Sequence, residues 1–141
     1  MRPWAGPRHD AVMTIVVGYT TRPEGRAALE RAIVEAKAHE EDLVVLNVSE
    51  GDGVRDPLLA SETDLDEVRG LLSHAGVEGK VRQLVRGKDA AEEIDSIATE
   101  VDASLVIIGL RKRTPVGKLV LGSNSQRILL TVDAPVLAVK A

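Results

Sequence analysis

The chain has 141 residues, of which 44% are hydrophobic, and its formal net charge is −4. This length fits one domain with a substantial core, and the negative charge with one Trp, one Tyr and no Phe argues against a nucleic-acid surface built on stacked aromatic rings. The lack of cysteine excludes disulfides, cysteine-ligated zinc and a cysteine nucleophile, and it suits a reducing cytoplasm. No run approaches the roughly 18 apolar residues of a membrane helix, so we do not expect a membrane among the partners. The negative charge and the few aromatic rings lead us to expect no nucleic acid either.

The first residues show no periodic pattern of apolar side chains. They contain two prolines and one glycine, and they lack the apolar run of roughly 7 to 15 residues that a secretory signal requires. We therefore expect residues 1–12 to form a disordered tail, residues 13–141 to form the folded domain, and the protein to be cytoplasmic.

Apolar runs then alternate with amphipathic segments. The predicted strands are Thr14 to Gly18, Leu43 to Val48, Lys80 to Val85, Ser104 to Ile108 and Val136 to Val139. Helices are predicted after Pro23, from about Glu62, after the cap residue Asp89, and from about Gly122 to Val132. In the first helix, apolar side chains recur with the spacing i, i+3, i+4 and i+7 at Leu29, Ala32, Ile33 and Ala36.

This alternation predicts an α/β fold. Strands that alternate with helices of this length need right-handed crossovers, which produce a mostly parallel, doubly wound sheet with helices on both faces. Ligands bind such sheets beyond the carboxyl ends of the strands, at the point where the strand order reverses. Periodicity alone does not locate that point.

The last third of the chain carries the features of an anion site. An apolar strand ends near Gly109, a basic cluster follows at residues 111–113, and Gly122 with Ser123 precedes a helical segment. Backbone N–H groups and a hydroxyl at the start of a helix favour phosphate as the ligand.

The spacing in this region is Gly109, two residues, Lys112, nine residues, then Gly122 and Ser123. Here the chain resembles the universal stress protein family, whose ATP-binding branch has glycine, two residues, glycine, nine residues, and a glycine followed by serine or threonine. The segments IVVGYTTRPEGRAALERA and DAPVLAVK extend the resemblance over Met13 to Ala141.

The resemblance implies an adenine nucleotide alpha hydrolase-like domain with a five-stranded sheet in the order 3-2-1-4-5. In nucleotide-binding relatives, adenine and ribose contact positions that correspond to Thr20, Val48 and Ile108. The phosphates lie against positions that correspond to Gly109, Lys112, Gly122 and Ser123. The candidate site also includes their neighbours Gly18, Tyr19 and Asn124, with the basic residues Arg22 and Arg111.

Two positions depart from the family's pattern. Thr20 replaces an aspartate, and the loss of one charge-assisted hydrogen bond weakens binding by about 1.5 to 3 kcal/mol. Lys112 replaces the second glycine, and its side chain either blocks the approach of backbone to phosphate or donates to the phosphate itself. With Arg22, Arg111 and Arg113 it would form a basic ring around an anion, or these would be solvated loop charges.

No catalytic or metal site is predicted. His9, His39 and His74 have no partner at metal-ligand spacing, and no serine lies in a nucleophile elbow. The resemblance implies that the protein binds ATP or another adenine nucleotide, with or without Mg²⁺, as a sensor or regulatory ligand in a stress response. We expect it not to be an enzyme, with weak ATP hydrolysis of the kind found in relatives left open. The alternatives are a module of the same fold that acts through protein contacts without a nucleotide and, supported only by the basic loops, an enzyme acting on a phosphorylated small molecule.

The last strand predicts self-association. Pro135 is followed by the apolar sequence VLAVK, and an exposed apolar edge strand favours pairing with another chain. In the family this strand commonly pairs across a twofold axis, so the resemblance implies a homodimer through Val136 to Val139. The alternative is an edge shielded by Lys140 and the carboxyl terminus.

Overall fold

The computed structural model describes residues 13–49, 58–111 and 122–141. Over these ranges strands and helices alternate along the chain. The strands are β1 Thr14–Gly18, β2 Asp42–Ser49, β3 Gly79–Val85, β4 Leu105–Leu110 and β5 Val136–Lys140. The helices are α1 Pro23–His39, α2 Glu62–Ala75, α3 Ala90–Glu100 and α4 Ser123–Thr131.

The strands form one parallel sheet in the order β3-β2-β1-β4-β5. In the central pairings, Val17 lies opposite Val45 of β2 on one side and Ile107 of β4 on the other. The strand order reverses between β1 and β4, because the chain builds outward from β1 in one direction and then returns to continue in the other. The predicted fold class and strand order are confirmed.

The core lies in two layers, one on each face of the sheet. Ile15 and Val17 of β1 pack with α1 and α2, while Val16 packs on the other face with α3 and α4. All three side chains are fully buried. A parallel strand covered on both faces needs apolar residues at every position, which explains the uninterrupted apolar runs in the sequence.

The predicted helical stripes correspond to the buried faces. In α1 the buried side chains include Leu29, Ala32 and Ala36, while Ile33 is only partly buried. The start of α2 is fixed by a capping box, in which the Asp64 N–H donates to Ser61 Oγ at 3.1 Å and the Ser61 N–H donates to Asp64 Oδ2 at 2.9 Å.

Two local expectations need correction. β4 continues two residues past the predicted end, because Gly109 and Leu110 pair with Val139 and Lys140 of β5. Asp89 does stand at the N-cap of α3, but its carboxylate makes no capping hydrogen bond and accepts from Arg127 of α4 instead.

Some expectations concern residues outside the described ranges. They are the disordered tail at residues 1–12 and the positions of Lys112 and Arg113. Of the helices in the described ranges, none has the length and apolar character needed to cross a bilayer.

Candidate functional site

The candidate site lies where β1 and β4 end side by side at the reversal of strand order. Gly18 is the last residue of β1 and is partly exposed. A Cβ added there would lie 3.5 Å from Ile94 Cδ1 of α3 and 3.7 Å from Ile108 Cγ2 of β4. The glycine therefore leaves a low point in the sheet surface between these two apolar side chains.

Three of the predicted contact residues share one face of the sheet. Val48 and Ile108 belong to the core layer beneath α3 and α4, and Gly18 opens toward the same layer through its contact with Ile94. Val48 is only partly buried, whereas Ile108 is buried. Together they form an apolar wall of the kind that receives a planar base in ligand crevices.

Tyr19 belongs to the core on the opposite face. Its side chain is 2% exposed and packs with residues of α1 and α2. Its N–H donates to Leu46 O at 2.9 Å. Burial raises the pKa of the Tyr19 phenol above its ordinary value of 10.0, and the nearby charge of Arg26 opposes part of that shift. In this position Tyr19 supports the end of β1 from below.

Thr20 turns its hydroxyl toward the first turn of α1. Within the described residues, Thr20 Oγ1 is buried and has no hydrogen-bond partner. A Cβ added to Gly25 would lie 2.4 Å from this oxygen and 2.2 Å from Thr20 O. Glycine at position 25 is thus required for the chain after β1 to fold back onto α1, a requirement that sequence analysis missed because it arises from a contact across a turn.

Gly109 of β4 also lies against the first turn of α1. A Cβ added to it would lie 1.9 Å from Glu24 O and 2.5 Å from Glu24 C. The sequence interpretation assigned this glycine to phosphate binding. The structure gives it a packing requirement against the backbone of α1 that does not depend on any ligand.

The start of α4 presents the backbone N–H groups of a helix N-terminus. Gly122 stands at its N-cap with φ −68° and ψ 162°, and as a glycine it has no side chain that could cap the helix. Among the described residues, no atom lies within 4 Å of a Cβ added to Gly122; Ser123 is exposed and Asn124 is partly buried. The first N–H groups of a helix lack internal partners and carry partial positive charge, so this turn has the chemistry to bind an anion.

Two of the predicted basic residues, Arg22 and Arg111, flank this edge of the sheet. Arg22 is the N-cap residue of α1 and makes no capping bond, and Arg111 is exposed directly after β4. Lys112 and Arg113 lie outside the described residues. Over residues 13–49, 58–111 and 122–141, no group of three His, Asp or Glu side chains is placed to hold a metal ion.

A buried amide next to the crevice was not anticipated from the sequence. Asn47 is 0% exposed. Its Nδ2 donates to Tyr19 O and Leu58 O, both at 2.9 Å, and its Oδ1 accepts from the Ala60 N–H and from Gln83 Nε2, also at 2.9 Å. A polar residue within an otherwise apolar buried strand is the signal that would have indicated such a network.

Asn47 thereby joins four parts of the chain. It connects β2 to the end of β1, to the segment that enters α2 and to β3. Gln83 Nε2 also donates to Ala60 O at 2.8 Å, which adds a second link from β3 to that segment. These bonds hold the segment Leu58 to Ala60 at the carboxyl ends of β2 and β3, and in folds of this class a ligand crevice is expected at the ends of β1 and β4.

These features define a doubly wound α/β protein whose crevice lies at the switch point of a parallel sheet. The model of the universal stress protein family matches residues 12–140, and the chain belongs to that family. It is 47% identical over 126 residues to a universal stress protein of Mycolicibacterium smegmatis, a match that covers 89% of this chain and 96% of that protein. The resemblance noted from the glycine spacing is confirmed.

Solved structures show the same fold. A universal stress protein from Archaeoglobus fulgidus superimposes with a TM-score of 0.77 at 31% identity, over 91% of this chain and 98% of the other. The structure of the universal stress protein from Archaeoglobus fulgidus in complex with dAMP matches with a TM-score of 0.70 at 26% identity, over 91% of this chain and 98% of that one.

Proposed function

We propose that this protein binds an adenine nucleotide, foremost ATP, in the crevice between β1 and β4, as a sensor or regulatory ligand in the stress response. The observation that carries the proposal is the relative from Archaeoglobus fulgidus solved in complex with dAMP, which is 26% identical over 91% of this chain. Adenine nucleotide binding in a relative of the same fold is the reason to test this ligand class first.

The local chemistry supports this ligand. The apolar wall of Gly18, Val48 and Ile108 suits a flat base, because it offers apolar surface and the glycine has no side chain to obstruct it. The uncapped start of α4 at Gly122 and Ser123 suits the phosphates. In the proposed pose the nucleotide spans these two features.

The basic residues favour ATP over AMP. Arg22 and Arg111 lie at this edge of the sheet, and Lys112 follows directly in the sequence. Additional phosphates carry additional negative charge toward these groups. A Mg²⁺ ion would enter on the phosphates, since this cation is commonly held by substrate phosphates and one or two carboxylates.

Thr20 is the position at which base recognition would be weakest. A threonine hydroxyl forms neutral hydrogen bonds, whereas a carboxylate forms the stronger charge-assisted type. Thr20 Oγ1 also points toward Gly25, away from a direct ligand contact. We therefore expect affinity to depend more on the phosphates than on the base.

The proposed role is binding without catalysis in the cytoplasm, by a homodimer joined through Val136 to Val139. β5 is an edge strand of the sheet, and its four apolar residues are only partly buried in the single chain. On the adjoining helix α4, Leu130 is 79% exposed. Pairing of two β5 strands would cover this apolar edge.

A second candidate function is a module that binds no nucleotide and works through protein contacts. It is favoured by the orientation of Thr20 and by the packing requirement at Gly109, which explains one motif glycine without a ligand. The two candidates differ in whether the crevice is occupied in the working protein.

Isothermal titration calorimetry with ATP and AMP, with and without Mg²⁺, tests the proposal. Gly122→Val should abolish micromolar binding without unfolding the domain, because no atom of the described residues lies within 4 Å of an added Cβ and valine readily adopts the extended backbone found there. Gly70→Ala, on α2 with nothing within 4 Å of an added Cβ, is a control away from the site and should bind like the wild type. A wild type that binds neither nucleotide would overturn the proposal and favour the protein-contact module.

A further inference from the structure

The first turn of α4 carries the donors of the proposed phosphate site, yet apolar packing holds it weakly. Among the residues of α4, the buried one is Ile128, in the second half of the helix. Ser123 is exposed, Asn124 is partly buried, and Leu130 is exposed on the outer surface. The start of this helix therefore depends on polar interactions for its orientation more than on apolar packing.

An ion pair lies at the right place to do so. The Nε and Nη2 groups of Arg127 both donate to Oδ2 of Asp89, the first at 2.7 Å. Arg127 follows Ser123 by four residues, so the two share one side of the helix. The Asp89 side chain is 21% exposed and that of Arg127 is 54% exposed, so the pair is partly shielded from solvent.

Asp89 belongs to the helix that borders the crevice at Gly18. It is the N-cap residue of α3, and Ile94 in the next turn of α3 is the side chain that contacts the space above Gly18. The ion pair therefore connects the helix over the base-binding wall to the helix that begins at the phosphate-binding turn. At the other end of α4, the Asp133 N–H lies 3.4 Å from Asp95 Oδ1 of α3.

We propose that the Arg127–Asp89 ion pair positions the first turn of α4, so that the backbone donors at Gly122 and Ser123 face the crevice at a fixed distance from Gly18. This inference rests on the proposed function and adds a positioning pair to it. Arg127 acts through the helix it orients. Its guanidinium charge is already paired with a carboxylate and is not the phosphate ligand.

The direction in which Asp89→Asn changes phosphate affinity distinguishes a positioning role of Arg127 from direct contact between Arg127 and phosphate. If Arg127 bound phosphate directly, Asp89→Asn would release the guanidinium and remove a negative charge from the neighbourhood, so phosphate affinity would rise or stay equal. If the pair positions the turn, the same substitution lowers phosphate affinity. Asparagine is as good an N-cap residue as aspartate, so the start of α3 is retained.

The experiment compares Asp89→Asn, Arg127→Met and the double variant by titration with ATP, AMP and adenosine. Each single variant should weaken ATP and AMP binding by about tenfold, the lower end expected for a charge-assisted hydrogen bond, while adenosine affinity is unchanged. The double variant should be no weaker than the weaker single variant, because both remove the same interaction. Arg127→Lys should recover part of the loss.

ATP affinity that is unchanged or tighter in Asp89→Asn overturns the inference. Equal losses for adenosine and ATP also overturn it, because they indicate general damage to the fold.

Amide hydrogen exchange tests the pair without any ligand, and so separates its failure from failure of the proposed function. The Gln126 N–H donates to Gly122 O at 3.0 Å and reports on the first turn of α4. Its exchange should be faster in Asp89→Asn, while the exchange of the Leu65 N–H, which donates to Ser61 O at 2.9 Å in α2, stays unchanged.

Equal protection of the Gln126 N–H in the wild type and in Asp89→Asn overturns the positioning role even if ATP binds. Lack of ATP binding by the wild type overturns the proposed function, and with it the link between the pair and phosphate.

Discussion

Gly109 in β4 lies directly beneath the carbonyl group of Glu24 in the first turn of α1, so close that an added Cβ would come within 1.9 Å of the carbonyl oxygen. Backbone on both sides of this contact leaves no flexible side chain that can move away. Helix α1, which follows β1, therefore packs against β4, the strand on the other side of the point where the strand order reverses. Glycine at this position belongs to the architecture of the fold.

Gly109→Ala should consequently destabilise the protein with or without nucleotide. We expect a loss of about 1 to 3 kcal/mol in the free energy of unfolding, because the inserted methyl group forces a backbone shift in a packed region. Urea denaturation followed by circular dichroism measures the change.

The same substitution elsewhere provides the control. Gly70 lies in the middle of α2 with nothing within 4 Å of an added Cβ, so Gly70→Ala should raise the free energy of unfolding by about 0.5 to 1 kcal/mol. A Gly109→Ala protein as stable as the wild type would mean that α1 moves freely on the sheet.

Asn47→Leu should be among the most damaging substitutions in the chain. It conserves volume approximately but leaves the buried carbonyl of Tyr19 and the Ala60 N–H without their partner. We expect a loss of about 3 to 5 kcal/mol in unfolding free energy, since each buried group left unpaired costs about 1 to 3 kcal/mol. Chemical denaturation checks the value, with Gln83→Leu as the milder comparison. If both variants lose the same amount, the network is not centred on Asn47.

Tyr19 provides a pH probe, because it is the one tyrosine in the chain. Burial raises the pKa of its phenol above 10.0 in the folded state, so the neutral form is favoured by folding. The corresponding stability is fully present below the unfolded pKa and is lost as pH rises through the folded pKa. Tyrosinate absorbance should titrate at higher pH in the native protein than in urea. Coincident titrations would show that the phenol is solvated.

The basic residues near the crevice can be tested together. The double variant Arg22→Ala, Lys112→Ala should weaken ATP binding by about tenfold or more, because the proposed function assigns both positive charges to phosphate binding. AMP binding should fall less, since AMP carries fewer phosphate charges. Calorimetry at two salt concentrations measures both effects. Unchanged ATP affinity would identify these residues as solvated loop charges.

Local patterns in the sequence predicted most of the architecture. The bounds of β1 were predicted correctly, because a short β-branched run ends at a glycine. The alternation of Ile15, Val17 and Tyr19 along one side of the strand also indicates, in retrospect, that the tyrosine ring enters the core. The strand order came from the family resemblance, since periodicity carries no information about which strands are neighbours.

The site was less predictable, because its constraints connect residues far apart in the sequence. Gly25 and Gly109 are each defined by a backbone group that only the folded chain brings close. Asn47 has partners on three other elements, and nothing in its own segment indicates them. The predicted roles of the twelve candidate site residues remain predictions that the binding experiments above will test.

The two edges of the sheet differ in a way that limits assembly. β3 begins with exposed Gly79 and Lys80, and Arg82 on the same strand pairs with Glu100 at 2.9 Å. Charged side chains of this kind discourage another strand from adding there. β5, at the opposite edge, is apolar. Two copies that join through β5 would leave their β3 edges facing outward, where Lys80 and Arg82 would hinder the addition of further strands, so the proposed dimer would not propagate into a fibre.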